Sequence, residues 1–134
     1  MNQEKKAIIN MLMKPILKKY NVKATLKVDN ATIYLNIKSS TLDFIGQYNE
    51  IAQNDIRNLY TPFTPVTDSM QVNPYWFNDQ FKGEILEFMK EAHDALRGAG
   101  FYNNSDIQSD YHDIAYYYYV NVGQWNKPYE LLAG

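Results

Sequence analysis

Three aspartates and a histidine lie close together in the second half of the chain: Asp106, Asp110, His112 and Asp113. Mg²⁺ and Mn²⁺ accept carboxylate oxygens and imidazole nitrogens, so one interpretation of this segment is a divalent-metal-dependent enzyme. In the other interpretation, the aspartates cap backbone amides in a polar loop. We favour the loop, and we predict no catalytic residue, bound metal or cofactor.

A second group of residues, the tyrosines 116–119, is suited to binding rather than catalysis. Neighbouring side chains of a β-strand point to opposite faces of the sheet. If Tyr116 and Tyr118 face the core with the aliphatic residues of this segment, then Tyr117 and Tyr119 point outward. The run therefore predicts a strand with aromatic rings on both faces.

We predict that the outward tyrosines share one face with basic and aromatic residues from elsewhere in the chain. This predicted binding set comprises Lys23, Lys27, Tyr34, Lys38, Tyr117, Tyr119 and Trp125. Phenol rings flanked by lysines suit a protein interface, where aromatic anchors are enriched. They also suit single-stranded nucleic acid, at roughly 1–3 kcal/mol per stacked base. In a third interpretation, the tail from Trp125 to Leu132 folds over this face and buries it.

Composition narrows the classes of function. The chain has 134 residues, no cysteine and two histidines, which predicts one domain without disulfides or thiolate zinc sites. It has no long apolar run and no secretory signal, so we expect a cytoplasmic protein without membrane contact. Residues 1–38 hold eight lysines and two acids (8 − 2 = +6), and residues 39–134 hold five bases and thirteen acids (5 − 13 = −8).

Hydrophobic periodicity indicates the elements that would position these residues. The predicted helices span about 3–20, 44–54 and 78–98, and the predicted strands span about 22–29, 31–38, 70–75 and 114–122. Asp29 and Asn30 form the turn between the first two strands, and we expect either a kink or a restart of the first helix at Pro15. The order predicts an α+β fold, with a mostly antiparallel sheet of about four strands and helices on one face.

Three short patterns carry a resemblance. They are Asn103-Asn-Ser-Asp-x-x-Ser-Asp-Tyr-x-Asp113, Val122-Gly-x-Trp-Asn-Lys-Pro-Tyr129 and Asn73-Pro-Tyr-Trp76. With them the chain resembles a group of small uncharacterised phage and plasmid proteins, and its start is similar to a domain associated with large polyvalent proteins of mobile elements. His112 departs from that pattern, in which an aromatic residue is expected.

The resemblance implies a context rather than a catalytic mechanism. Small accessory proteins of phages often bind host machinery, including defence systems, and no catalytic residues carry over. We therefore expect a non-enzymatic accessory protein, a monomer or homodimer, that binds a host protein in the host cytoplasm. Single-stranded nucleic-acid binding and metal-dependent catalysis are the alternatives.

Overall fold

The structure is a computed structural model that describes residues 3–54, 65–72, 74, 77–100, 116–124 and 126–132. In these ranges the helices are α1 (Gln3–Lys19), α2 (Phe44–Gln53), α3 (Phe77–Gln80) and α4 (Gly83–Leu96). The strands are β1 (Lys23–Asp29), β2 (Thr32–Ser40), β3 (Met70–Val72), β4 (Tyr117–Val122) and β5 (Glu130–Leu131). The predicted α+β class is confirmed.

The strands form a mixed sheet in the order β1-β2-β4-β3. β1 pairs with β2 and β3 pairs with β4 in antiparallel fashion, whereas β2 and β4 are parallel. β5 also runs parallel to β2, beyond the end of β4. The sheet is therefore less antiparallel than the sequence indicated, because the last long strand enters the middle of the sheet instead of its edge.

The hairpin of β1 and β2 follows the predicted alternation. Asp29 ends β1 and faces Thr32, so the two-residue turn is Asn30-Ala31, one residue later than predicted, and Asn30 adopts a positive φ of 53°. Asparagine tolerates this left-handed conformation better than most residues, which explains its place in the turn. The alternation then continues into β2, where Ile33, Leu35 and Ile37 are buried.

The pairing of β2 with β4 places two aliphatic rows side by side. Leu35 lies opposite Val120 and Ile37 lies opposite Val122, and all four side chains are buried. Tyr116, the residue that precedes β4, is also fully buried. The predicted parity of the tyrosine run is therefore correct, with Tyr116 on the core side.

Helices α1 and α4 cover the core face. The buried residues of α1 are Ile9 and Met13, and those of α4 are Ile85, Phe88, Met89, Ala92, His93, Ala95 and Leu96. The hydroxyl of Tyr116 donates a hydrogen bond of 2.6 Å to the carbonyl oxygen of Leu96, which ties β4 to the end of α4. None of the helices among the described residues has the length and apolar character needed to cross a bilayer.

Two helices differ from the prediction. α1 is a single helix that continues through Pro15, so of the two predicted alternatives the restart was wrong. The long helix predicted over 78–98 is divided into α3 and α4, because Lys82 is extended and Gly83 has a positive φ of 62°. Lys82 also donates its backbone N–H to the Oε1 atom of Gln47 at 2.8 Å, which fixes the break against α2.

Candidate binding face

A pair of stacked tyrosines marks the face of the sheet opposite the helices. The rings of Tyr34 on β2 and Tyr119 on β4 have centroids 5.8 Å apart and planes inclined by 24°. The two residues are directly opposite each other in the parallel register. Both rings remain partly exposed, so the pair presents an aromatic surface to the outside.

A pair of asparagines continues this surface two residues further along the same strands. Asn121 donates its side-chain amide to the Oδ1 atom of Asn36 at 3.0 Å. Asn36 is only 5% exposed, although it lies on the outer face. The bond satisfies a buried amide oxygen, and it holds both side chains in a fixed orientation.

We name the surface formed by Tyr34, Asn36, Tyr117, Tyr119 and Asn121 the tyrosine–asparagine face. Tyr117 opposes Thr32 on β2 and is 42% exposed. Its ring therefore extends the aromatic surface toward the hairpin turn. The face combines large, rigid rings with neutral hydrogen-bonding groups.

A shallow depression of about 250 Å³ lies on this face. It is lined by Lys27, Asp29, Tyr34, Asn36, Asn121 and Gln124. Lys27 lies directly opposite Tyr34 in the hairpin, and Asp29 lies two residues further along β1. The formal charges of this lysine and this aspartate cancel, so the lining of the depression has no net charge.

The other predicted binding residues lie farther away or outside the described residues. Lys23 and Lys38 are exposed at the far end of the hairpin, where the register of β1 and β2 shifts. Lys38 is four residues from Tyr34, which corresponds to about 13 Å along a strand. Trp125 lies outside the described residues. The structure therefore places only Lys27, of the three predicted lysines, beside the tyrosines.

The described part of the C-terminal tail extends the sheet instead of crossing this face. Glu130 and Leu131 form β5, which pairs with Ser39 and Ser40 of β2. The ring of Tyr129 packs edge-on against buried Phe44, with centroids 5.6 Å apart. Residues 126–132 therefore leave the tyrosine–asparagine face uncovered.

The sequence prediction missed two glutamines that lie near the tyrosine–asparagine face. Gln71 on β3 lies opposite Asn121, and Gln124 follows β4. Both line a second, larger depression of about 550 Å³ between β3 and the segment after β4. For the two asparagines the sequence holds a signal, since Tyr34-Leu-Asn-Ile37 and Tyr119-Val-Asn-Val122 share a Tyr-x-Asn pattern.

His93 lies on the other side of the sheet, in the core. Its ring stacks on Phe77 with centroids 4.3 Å apart, and its Nδ1 atom is 2.6 Å from the carbonyl oxygen of Met89. The Nε2 atom is buried and has no hydrogen-bond partner among the residues that the structure describes. Burial lowers the pKa of His93 to about 4, so the side chain is neutral at pH 7. His93 therefore belongs to the buried face of α4.

The predicted metal loop, with Asp106, Asp110, His112 and Asp113, lies outside the described residues. Within the ranges that the structure describes, no three acidic or histidine side chains come together in an arrangement that could hold a metal ion. A metal-dependent activity of that loop stays a prediction.

The described residues thus combine stacked rings and paired amides on one partly exposed face of the sheet. Comparison of the chain with models of protein families, with curated proteins and with solved structures finds no match.

Proposed function

We propose that this is a non-enzymatic binding protein, which captures a partner protein on the tyrosine–asparagine face. The observation that carries the proposal is the stacked pair Tyr34 and Tyr119 beside the hydrogen-bonded pair Asn36 and Asn121. Tyrosine supplies a large contact area with few rotatable bonds, and neighbouring amides supply hydrogen bonds. This combination is typical of protein-recognition surfaces.

The position of the face in the fold supports the same proposal. The helices cover the opposite side of the sheet, so the outer tyrosines are not needed to complete the core. A half-exposed ring such as that of Tyr117 contributes little to the stability of the folded chain, but it offers apolar area to a partner.

The resemblance to phage and plasmid accessory proteins suggests a host protein as the partner. In this proposal the protein acts in the host cytoplasm. Its partner is a component of a host defence system, which it inhibits by binding. The lack of net charge in the depression favours a protein over a polyanion, because phosphate binding depends on clustered positive charge.

Single-stranded nucleic acid is the second candidate, favoured by the position of Lys27 beside the Tyr34–Tyr119 pair. Salt dependence separates the two candidates. Binding of an oligonucleotide must weaken steeply as salt rises, because counterions are released from the phosphates. An association with a host protein on this largely neutral face should change little over the same range of salt concentration.

Capture of partners from host cells tests the proposal. The wild-type protein and the double variant Tyr117→Ala/Tyr119→Ala serve as baits, and Met11→Ala is the control because Met11 is 67% exposed on α1. We expect the wild type and the control to retain the same partner, and the folded double variant to lose it. Retention by the double variant contradicts the proposal.

A further inference from the structure

β1 has a free edge. It pairs with β2 on one side, and no strand pairs with its other side among the residues that the structure describes. Its seven residues alternate regularly between exposed and half-buried side chains. A free edge presents unpaired backbone N–H and C=O groups, which is a template for another strand.

The hairpin determines which backbone groups point outward. The residues that flank a two-residue turn form a hydrogen-bonded pair, so Asp29 bonds Thr32. Alternation then directs the backbone groups of Ala24, Leu26 and Val28 away from β2. The half-buried side chains of these three residues lie on the core face and form an incomplete apolar row at the edge.

The sequence of β1 is complementary to itself in the antiparallel direction. With Leu26 opposite the partner's Leu26, Ala24 meets the partner's Val28 and Thr25 meets the partner's Lys27. Lys23 then lies opposite the partner's Asp29, once at each end of the paired strands. Directly opposite side chains of unlike charge stabilise an antiparallel pair, and like charges destabilise it.

Other registers lack this complementarity. A shift by two residues in one direction places Lys23 opposite the partner's Lys27, and a shift in the other direction places Lys27 opposite the partner's Lys27. A shift by one residue turns the apolar row of one copy toward the polar face of the other. Lysines on an edge normally discourage pairing, but in the Leu26-centred register each faces a neutral or acidic residue.

We propose that a second copy of this chain pairs antiparallel with β1, in the register centred on Leu26, to form a symmetric dimer. The sheet then runs through both copies, and the two apolar rows become continuous beneath it. A two-fold axis perpendicular to the sheet places both tyrosine–asparagine faces on the same side. This goes beyond the proposed function, since the dimer offers two binding faces in one surface.

Charge exchange tests the register. Sedimentation equilibrium between about 1 and 500 µM should show a concentration-dependent dimer of the wild type, because edge pairing buries a small area. In a dimer of Lys23→Asp, two carboxylates lie opposite each other at each end of the paired strands. In a dimer of Asp29→Lys, two ammonium groups lie opposite each other at each end. We expect each single variant to weaken the dimer about tenfold or more.

Combining the two opposite charge changes, in a mixture or in one chain, separates charge repulsion from a folding defect as the cause of weaker association. An equimolar mixture of the two single variants should form a heterodimer, and the double variant Lys23→Asp/Asp29→Lys should associate like the wild type. Lys14→Asp, an exposed change on α1, is the control and should leave association unchanged.

Four outcomes overturn the proposal. In the first, the wild type stays monomeric at all these concentrations, and in the second, both single variants dimerise as strongly as the wild type. In the third, the mixture of the two single variants does not associate. In the fourth, Tyr119→Ala weakens the dimer while the edge variants do not. The last outcome assigns self-association to the tyrosine–asparagine face.

Discussion

Tyr34 and Tyr119 lie directly opposite each other in a parallel pair of strands, and their rings stack 5.8 Å apart. Asn36 and Asn121 repeat the relationship two residues along, through a hydrogen bond of 3.0 Å. Parallel strands in register place like residues side by side, which allows rings to stack and amides to bond in a row. The shared Tyr-x-Asn pattern of the two strands therefore stabilises both the register and the outer face.

The two faces of β4 should respond differently to the loss of a ring. Tyr119→Ala removes a partly exposed ring and one stacking contact, so we expect a loss of about 1 kcal/mol in the free energy of unfolding. Tyr116→Ala empties a fully buried site and removes the bond to Leu96, with an expected loss of at least about 3 kcal/mol. Chemical denaturation measures both, and equal losses would show that Tyr119 belongs to the core.

The buried imidazole of His93 should make stability depend on pH. Its pKa falls from the ordinary 6.5 to about 4 in the folded chain, because burial disfavours the charged form. Between these two values the imidazole binds a proton in the unfolded chain but stays neutral in the folded chain. Stability should therefore fall as pH decreases from about 6.5 to about 4, by up to about 3 kcal/mol, and this contribution should level off below.

His93→Leu is the matched variant for that measurement. The free energy of unfolding at pH 7 and at pH 4.5 should differ less in the variant than in the wild type, because the leucine cannot take up a proton. Carboxylates contribute to both proteins alike. An identical pH dependence of the two would show that the histidine is accessible to protons in the folded state.

Tyr129→Phe should loosen the junction between the tail and the sheet. The hydroxyl of Tyr129 lies 2.6 Å from both the Ser40 Oγ atom and the Leu42 carbonyl oxygen, and the N–H of Leu42 donates to the same Ser40 Oγ atom. Loss of the hydroxyl breaks this closed ring of bonds, at a cost of about 1 kcal/mol.

Hydrogen exchange gives a local measure of that effect. The amide of Leu132, which donates to the carbonyl of Ser40, should exchange faster in Tyr129→Phe than in the wild type. Tyr117→Phe is the control, since its ring is well exposed. Unchanged exchange at Leu132 would mean that β5 is held without the hydroxyl.

Gly123→Ala should be far more damaging than Gly83→Ala. Both glycines have a positive φ, of 73° and 62°, where a side chain adds strain of about 1–2 kcal/mol. At Gly123 the new Cβ atom would also lie 2.6 Å from the backbone nitrogen of Tyr129 and 2.7 Å from the carbonyl oxygen of Asp68. Nothing lies within 4 Å at Gly83. We expect Gly123→Ala to lower the midpoint of thermal unfolding more than Gly83→Ala does, and equal midpoints would contradict this prediction.

Periodicity predicted the faces of the elements well, but it did not predict their neighbours. Alternation within β1 and β2 determines which side chains are buried, and this depends only on local sequence. The partner of β4 depends on contacts between distant segments, and several orders of strands satisfy the same alternation. The repeated Tyr-x-Asn pattern was not used in the prediction, although it agrees with the parallel pairing of β2 and β4.

The tertiary environment also explains two features that the apolar periodicity did not predict. The break between α3 and α4 depends on Gly83 and on the bond from Lys82 to Gln47, which lies on another helix. His93 is buried because Phe77 stacks on it, although histidine is more often partly exposed. Neither contact is visible in the spacing of apolar residues.

The central position of β4 has a consequence for how the chain is made. Until the ribosome has synthesised β4, β2 and β3 have no strand between them, and the apolar row of β2 lacks its neighbour. The sheet can close only after β4 emerges, so its assembly is delayed by long-range pairing. The nascent chain is therefore prone to aggregate until then, and its yield in cells should depend on chaperones that protect incomplete sheets.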